Sequence, residues 1–294
     1  MHIGHVALRV TDLPAAVGHA QRVLGLREVA RSDGEALLTS NDKHHELQLL
    51  AGAVSGLDHV GLEVESAAEL DEVVDRATSA GARVLPGEHE EQGVGRAVRL
   101  VGPGDIVYEV YDGMQREPLT IDGHLKPLTR KLGHLTFLCA DPEQIAGFWR
   151  EGLGFRVSDE ADGMIWMRCD SDHHGLSVGP HPAGVNLLHH HAWEVQDWGA
   201  LAQYCDNIAR DGMTLLWGPV RHGPGFNLAA YVPDAEGAVI ETYADLIQIR
   251  DERSYHPIDW SDEPRALNLW GPQPSQELLM AGIPVLAPTL AELS

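Results

Sequence analysis

Residues 134–141 read His-Leu-Thr-Phe-Leu-Cys-Ala-Asp, and phrases of the same kind begin at His5, His59 and His190. In each phrase apolar residues recur at every second position, which is the period of a β-strand with one buried face. The histidine has the same place in all four phrases. The sequence therefore predicts four equivalent strands, each with a histidine on one face of a sheet.

A helix signal follows each of these phrases. Asp12 and Asp141 are candidate N-caps, and Pro14 and Pro142 stand in the predicted first turns, where proline is favoured. The spacing of apolar residues predicts four helices, at 14–25, 67–80, 142–152 and 198–211. Two or three short strand patterns follow each helix. The repeating unit is therefore β-α-β-β-β, about 55 residues long and used four times.

The four units form two pairs, because histidines and acids recur at nearly the same intervals. The intervals are 54 residues from His5 to His59, 56 from His134 to His190, 50 from His59 to Glu109 and 51 from His190 to Glu241. We therefore predict an α+β fold of four tandem βαβββ modules, paired into two domains that are each an incomplete eight-stranded barrel. The predicted parts are a non-catalytic domain 1–113, a linker 114–129, a catalytic domain 130–248 and a tail 249–294 that packs on the second domain.

Composition limits the partners and the location. The net charge of −23, with only 21 Lys and Arg residues, argues against nucleic acid and anionic membranes as partners. The three cysteines are scattered, which fits neither a disulfide framework nor a zinc site. The sequence has no apolar run of membrane-spanning length, and its N-terminal residues lack the pattern of a signal peptide. We therefore expect a cytoplasmic protein.

The second pair of units carries a candidate metal site. His134, His190 and Glu241 fall on strands that we expect to be neighbours, with their side chains on one face. Two imidazoles and one carboxylate are the protein ligands of many non-haem iron(II) oxygenases, and they leave coordination positions open. The alternative is that these histidines only make hydrogen bonds within the sheet.

At these residues the sequence resembles the type I extradiol dioxygenases of the vicinal oxygen chelate superfamily. The resemblance covers about residues 1–250 and is most specific in the second half. It rests on Gly-His134-Leu-Thr-Phe, on Leu-His-His190-His-Ala-Trp, and on His222, Tyr231 and Glu241 at intervals of nine and ten residues. His174 precedes a short apolar strand, as the active-site histidine of the family does, and Trp166 lies eight residues earlier.

The resemblance implies an enzyme that opens a catechol-type ring with O2 and releases a hydroxymuconic semialdehyde or an analogue. It implies Fe(II), with Mn(II) as an alternative, and His134, His190 and Glu241 as metal ligands. It gives His174 a role in proton transfer, and His222 and Tyr231 a role in hydrogen bonding to substrate oxygens. It also implies a homo-oligomer, because family members are commonly oligomeric.

Aromatic residues near these positions suggest the kind of substrate. Family members whose substrates carry a carboxylate have an arginine five residues before the histidine at 222, and this chain has Trp217 there. We therefore expect an uncharged catechol, alkylcatechol or aryl catechol. Trp166, Trp217 and Phe226 are the residues that we predict to bind its apolar part.

The first pair of units retains a related set, made of His5, Glu46, His59 and Glu109. A second metal ion is conceivable there. However, Arg99 stands ten residues before Glu109, where the second half has a tyrosine, and a cation would disfavour a metal unless it pairs with an acid. The alternative is a vestigial cup whose histidines hydrogen-bond to the two glutamates.

Two other functions are possible on this fold, because fold alone does not define chemistry. A glyoxalase-like isomerase or lyase would use a fourth protein ligand, but the expected position falls near Gly175, which offers none. A non-catalytic protein of the superfamily that binds a small molecule would not need His174, His222 and Tyr231 around a metal triad.

Overall fold

The computed structural model describes residues 1–86, 92–117 and 128–288. Its first half contains two βαβββ modules: β1 (His2–Val10), α1 (Leu13–Leu24), β2 (Arg27–Arg31), β3 (Glu35–Thr39) and β4 (Leu47–Ala51), then β5 (Gly56–Val64), α2 (Ala67–Ser79), β6 (Arg83–Val84), β7 (Ala97–Val101) and β8 (Val107–Asp112). A short 3₁₀ turn, Pro103–Asp105, precedes β8.

The second half repeats this order. Its modules are β9 (Lys131–Cys139), α3 (Pro142–Phe148), β10 (Arg156–Ala161), β11 (Met164–Arg168) and β12 (Leu176–Pro180), then β13 (Leu187–Glu194), α4 (Trp198–Arg210), β14 (Trp217–Arg221), β15 (Leu228–Pro233) and β16 (Val239–Ala244). A 3₁₀ turn, Pro224–Phe226, links β14 to β15. The C-terminal segment adds β17 (Ile258–Asp259), α5 (Gln276–Leu279) and β18 (Ile283–Pro284). The four predicted modules are thereby confirmed.

Each half forms one open, curved sheet. The first has the order β2-β3-β4-β1-β5-β8-β7-β6. The second has the order β14-β15-β16-β13-β9-β12-β11-β10-β17, and β18 pairs with β13. In the described part of the chain the end strands of each sheet do not pair with each other, so each barrel is incomplete, as predicted.

Side-chain caps explain where the helices begin. The Asp12 carboxylate accepts a hydrogen bond from Ala15 N at the start of α1, and the Asp141 carboxylate accepts one from Gln144 N at the start of α3. These caps satisfy backbone donors that have no partner within the helix. The predicted helix 142–152 differs in its second half, because a π-helical turn, Trp149–Leu153, follows α3.

Strand register places the candidate ligands side by side. In the second sheet, Ala192 pairs with His134 on one neighbouring strand and with Glu241 on the other. In the first sheet, Gly61 pairs in the same way with His5 and with Glu109. In both sheets the central residue lies two positions after the second histidine, so the side chains of all three candidate ligands lie on one face.

One continuous cluster of buried apolar residues runs through both halves. Polar contacts also join them: Leu132 N donates to the Glu46 carboxylate (3.0 Å), and Trp149 Nε1 donates to the Tyr108 hydroxyl (2.6 Å). The predicted limits at residues 113, 130 and 248 stay predictions, and linker residues 118–127 and tail residues 289–294 lie outside the described residues. No helix in the described part has the length and apolar character needed to cross a membrane.

A buried glycine next to His134 tests this packing. A Cβ on Gly133 would overlap the Tyr243 hydroxyl, whereas a Cβ on Gly18, inside α1, would meet nothing within 4 Å. We expect Gly133→Ala to lower the free energy of unfolding by about 1–3 kcal/mol through overpacking. The control Gly18→Ala should raise it by about 0.5–1 kcal/mol, because alanine loses less backbone entropy in a helix. Urea denaturation measures both changes, and equal stability of the two variants would contradict the packing described.

Candidate metal centre

Three neighbouring strands bring His134, His190 and Glu241 together. His134 Nε2 lies 3.2 Å and His190 Nε2 lies 3.1 Å from the same oxygen, Glu241 Oε2. The other oxygen, Oε1, accepts a hydrogen bond from Asn227 Nδ2 at 3.0 Å. All three side chains are buried. Three donor atoms therefore converge on one point at the wall of a cup.

Hydrogen bonds around His190 define which of its ring nitrogens carries the proton. His189 Nε2 lies 2.7 Å from the carbonyl oxygen of Leu278, so this nitrogen donates and His189 Nδ1 accepts. His190 Nδ1 lies 2.6 Å from His189 Nδ1 and is therefore the donor in that contact. The lone pair of His190 is consequently on Nε2, which faces Glu241 Oε2.

This arrangement fits a divalent cation. Burial lowers the pKa of His190 to about 3, so its ring is neutral. Burial alone would raise the pKa of Glu241, but His134 and His190 hold it well below its usual value. A lone pair and a carboxylate oxygen at 3.1 Å repel each other unless a positive charge lies between them. Two imidazoles and one carboxylate suit iron and manganese.

His174 lies beside this group, and its contact with the neighbouring His173 orients its ring. Its ring centroid is 4.3 Å from that of His134, and its Nδ1 lies 3.0 Å from His173 Nδ1. His173 Nε2 lies 3.2 Å from the buried Asp159 Oδ2. A carboxylate attracts an N–H, so its position favours a proton on His173 Nε2. With that tautomer His174 donates from Nδ1 and keeps its lone pair on Nε2. Burial, with help from His134 and His173, lowers the pKa of His174 well below its usual value.

His222 and Tyr231 form a second polar pair near the metal group. His222 Nδ1 lies 2.7 Å from the carbonyl oxygen of Leu267 and donates to it. Burial lowers the pKa of His222, so its Nε2 is an acceptor, and the Tyr231 hydroxyl donates to it at 2.7 Å. Burial raises the pKa of Tyr231 well above its usual value, so the hydroxyl keeps its proton. Its oxygen can accept one further hydrogen bond from a ligand.

A cavity of about 110 Å³ opens onto these groups. Its wall is mostly apolar, and it is lined by Thr136, Met164, Trp166, His174, His189, His190, Trp217, His222, Pro224, Asn227, Tyr231, Glu241, Leu267, Pro274, Leu278 and Leu279. Of the three predicted substrate-binding residues, Trp166 and Trp217 line the cavity. Phe226 is not among its described lining residues, because its ring packs against Trp260 with 5.6 Å between centroids.

The sequence analysis did not identify the residues that orient the candidate site residues by contacting them. His189, Asp159 and Asn227 each contact a candidate site residue. The C-terminal segment supplies the carbonyls of Leu267 and Leu278. The adjacent histidines in the sequence were a usable signal for His189. Nothing local to Asp159 or to the two leucines indicates their contacts, because each is formed over a long sequence separation.

The family is shown by a match to the family model of the Glyoxalase/Bleomycin resistance protein/Dioxygenase superfamily, which covers residues 2–109 and 131–242. The chain belongs to this superfamily. The two matched regions coincide with the two sheets, so both halves carry the family fold.

Relatives by sequence include extradiol dioxygenases. The chain is 28% identical over 294 residues to an iron-dependent extradiol dioxygenase of Rhodococcus jostii (strain RHA1), covering 92% of this chain and 95% of the relative. It is 25% identical over 285 residues to a manganese-dependent 2,3-dihydroxybiphenyl 1,2-dioxygenase of Geobacillus genomosp. 3, covering 88% and 89%.

Solved structures agree in fold. Homoprotocatechuate 2,3-dioxygenase from Arthrobacter globiformis superposes with a TM-score of 0.88 at 23% identity, covering 97% of this chain and 92% of that one. A Mn(II)-bound glyoxalase from Novosphingobium aromaticivorans gives 0.85 at 24% identity, covering 99% and 98%. At these identities the likeness defines the fold only, which dioxygenases and a glyoxalase share.

The contact between His189 and His190 gives a test of the metal group. We expect His189→Phe to weaken binding of Mn(II) at the tightest site by about 10–100-fold, because the acceptor that orients His190 is lost. Calorimetric titration of the metal-stripped protein measures the affinity. The control Leu278→Ala shortens the side chain of the residue that contacts His189 but retains the backbone carbonyl that accepts from His189. This variant should bind Mn(II) as the unmodified chain does. Unchanged affinity in His189→Phe would contradict the orienting role.

Proposed function

We propose that this protein is an Fe(II)- or Mn(II)-dependent extradiol dioxygenase that opens an uncharged catechol-type ring with O2. The observation that carries the proposal is the lone pair of His190 Nε2 facing Glu241 Oε2 at 3.1 Å, at the inner end of an apolar cavity that His174 also lines. The named activities of the two sequence relatives support the same chemistry.

His134, His190 and Glu241 would hold the metal ion. The ion, when bound, supplies a Lewis acid that favours the diol anion and leaves open positions where the diol and O2 can be brought together. Both iron and manganese are proposed, because one relative is named as iron-dependent and another as manganese-dependent. Asn227 keeps the Glu241 carboxylate in place through its hydrogen bond to Oε1.

The cavity favours an uncharged aromatic diol. Its lining includes Trp166, Trp217 and Leu279, and no Lys or Arg is among its described lining residues. An apolar wall excludes water and would leave a substrate carboxylate without a counterion. The polar groups gather at the inner end, so the diol oxygens would point inward and the ring substituent outward.

His174 is the group that we propose accepts a proton from the diol. Its Nε2 is left with the lone pair, because Nδ1 donates toward His173. A proton gained at Nε2 would place a positive charge on His174, and the ionised Asp159 stabilises that charge through His173. A buried charge without a partner has a high free energy, so the nearby Asp159 carboxylate strongly favours the protonated form of His174.

Tyr231 would position an oxygen of the substrate. Its hydroxyl proton is directed to His222, so its oxygen accepts from a protonated substrate oxygen. The ring of Trp217 lies 5.3 Å from that of Tyr231 and limits its movement. In the overall reaction a ring carbon–carbon bond next to the diol breaks and both atoms of O2 enter the product, so no external reductant is required.

Oxygen uptake with a panel of diols tests the proposed function. Metal-stripped protein is loaded anaerobically with Fe(II) or Mn(II) and mixed with air and catechol, 3-methylcatechol, 2,3-dihydroxybiphenyl or 3,4-dihydroxyphenylacetate. We expect a yellow ring-opened product and one O2 consumed per diol, with the charged diol the poorest substrate. Glu241→Gln should lose activity. Metal binding without oxygen uptake for any diol would overturn the proposal and favour a glyoxalase-like activity or a binding function.

Asp159 offers a second test. Asp159 Oδ1 accepts from the Tyr255 hydroxyl and from Ile258 N, both at 2.9 Å, and Oδ2 accepts from Trp260 Nε1 at 2.8 Å. Asp159→Asn keeps the size of this side chain but removes the negative charge beside His173, so a proton gained by His174 is no longer stabilised through His173. We expect kcat to fall by about 10²–10⁴-fold with little change in KM.

The control for this variant is Asp234→Asn. Asp234 pairs with His191 at 2.9 Å and does not line the described cavity, so kcat should stay as in the unmodified chain. Nitrogen-15 NMR of the histidine rings reports the protonated nitrogen directly, which a loss of stability alone would not change. An Asp159→Asn enzyme with unchanged kcat would show that the proton does not depend on this chain of contacts.

We also propose, from the sequence, a cytoplasmic homo-oligomer. Sedimentation analysis of the metal-loaded chain measures its oligomeric state.

A further inference from the structure

The cup of the first sheet contains a second set of donors. His5 Nε2 lies 3.0 Å from His59 Nε2. Glu109 Oε1 lies 3.9 Å from His5 Nε2, and Glu109 Oε2 lies 4.0 Å from His59 Nε2. All three side chains are fully buried. Donor atoms of the same three types converge here as around Glu241.

The surroundings of this set repeat those of the second cup in detail. A Cβ on Gly4 would overlap the Tyr111 hydroxyl, just as one on Gly133 would overlap Tyr243. The Tyr111 ring stacks on His5 with 5.5 Å between centroids. The ring centroid of His45 lies 4.7 Å from that of His5, and His174 has the corresponding place beside His134 in the second cup. The first cup therefore retains the frame that holds the candidate ligands, not only the ligands.

A carboxylate orients one of these imidazoles. His59 Nδ1 lies 2.7 Å from Asp58 Oδ1 and donates to it, which leaves the lone pair of His59 on Nε2. Burial alone would raise the pKa of Asp58, but the hydrogen bond from His59 lowers it to about 2. A carboxylate that accepts from the outer nitrogen of a histidine is the usual support of a metal-bound imidazole. His189 has the matching place in the second cup.

We propose that His5, His59 and Glu109 bind a second divalent first-row metal ion. Two imidazole nitrogens that each lie about 2.0–2.1 Å from one ion are about 2.8–3.4 Å apart when the angle at the metal is between a right angle and a tetrahedral angle. The observed 3.0 Å between His5 Nε2 and His59 Nε2 falls in this range. Without a metal, a proton on His5 Nε2 would satisfy the same contact.

Electrostatics make this site weaker than the one in the second cup. Arg99 Nε donates to Glu109 Oε2 at 2.6 Å, whereas the corresponding carboxylate of Glu241 accepts from the neutral amide of Asn227. A guanidinium next to a ligand carboxylate reduces the attraction of that carboxylate for a cation. We therefore infer an affinity about 10–100-fold lower than at His134, His190 and Glu241.

Arg99 also separates this site from the ring-cleavage chemistry. Arg99 pairs with Glu109 across the sheet where Tyr231 pairs with Glu241. The first cup thus presents a charged side chain where the second presents a hydroxyl. A cavity of about 230 Å³ lies next to this set, because its lining includes Asp58, which contacts His59, and Arg99, which contacts Glu109. The ion is therefore structural, and it joins β1, β5 and β8.

Glu46 is not part of the proposed site, although the sequence grouped it with these residues. Its carboxylate accepts from Ser40 N, Asn41 Nδ2 and Leu132 N. Glu46 therefore joins the two halves of the chain, and the described donor atoms that converge in the cup are those of His5, His59 and Glu109.

Metal stoichiometry tests the second site without any assay of activity. The metal-stripped protein is titrated with Mn(II) in a calorimeter, and the metal retained after gel filtration is counted by mass spectrometry. We expect two ions per chain with affinities that differ by about 10–100-fold. Glu109→Gln should lose the weaker ion only, and Glu241→Gln the tighter ion only. The matched control Glu63→Gln, a buried glutamate on β5 that contacts Lys43 and Arg116, should retain both.

The outcomes separate this proposal from the proposed function. One ion per unmodified chain that is lost in Glu241→Gln and kept in Glu109→Gln would overturn the second site and leave ring cleavage intact. Two ions with no turnover of any diol would support the second site alone. The number of ions bound by the unmodified chain tests the second site directly, so the test still works if one of the variants fails to fold.

Discussion

The repulsion between the His190 lone pair and the Glu241 carboxylate, 3.1 Å apart in a buried cup, is the constraint on which the site depends. Folding brings these two acceptors together only because strand register and apolar packing fix β13 and β16 side by side. The unfavourable contact becomes favourable when a cation is shared between them. Donor atoms held in this way before any ion arrives are what the proposed metal site requires.

The same register occurs twice, and the two cups differ mainly in what surrounds their carboxylates. Glu241 accepts from an amide and faces an apolar cavity, whereas Glu109 accepts from Arg99. Charge thus distinguishes two geometrically similar positions. One half can be adapted to substrate chemistry while the other retains the frame of strands.

The fold could be predicted from sequence because its determinants are local and repeated. Asp12 and Asp141 are N-cap residues that mark where two helices begin. The alternation of apolar and other residues after His134 predicts a strand with one buried face. Constant intervals in the sequence also bring His134, His190 and Glu241 together, although their role as ligands stays a prediction. Each of these signals lies within a single module or recurs from one module to the next.

The supporting contacts could not be predicted in this way. Asp159 reaches His173, and Glu46 reaches the backbone of the other half, through packing that leaves no period in the sequence. Phe226 has a backbone φ of +51° in a tight turn, and its ring lies on Trp260 rather than in the cavity. The C-terminal segment has no repeat to compare with, so its contacts with the site are visible only in three dimensions.

That segment contributes to the site in two separable ways. Leu267 and Leu278 present their side chains to the cavity and their backbone carbonyls to His222 and His189. Mutational drift at these two positions can reshape the space for a ring substituent, yet every amino acid retains the carbonyl. Specificity can therefore evolve here without altering which histidine nitrogens carry protons.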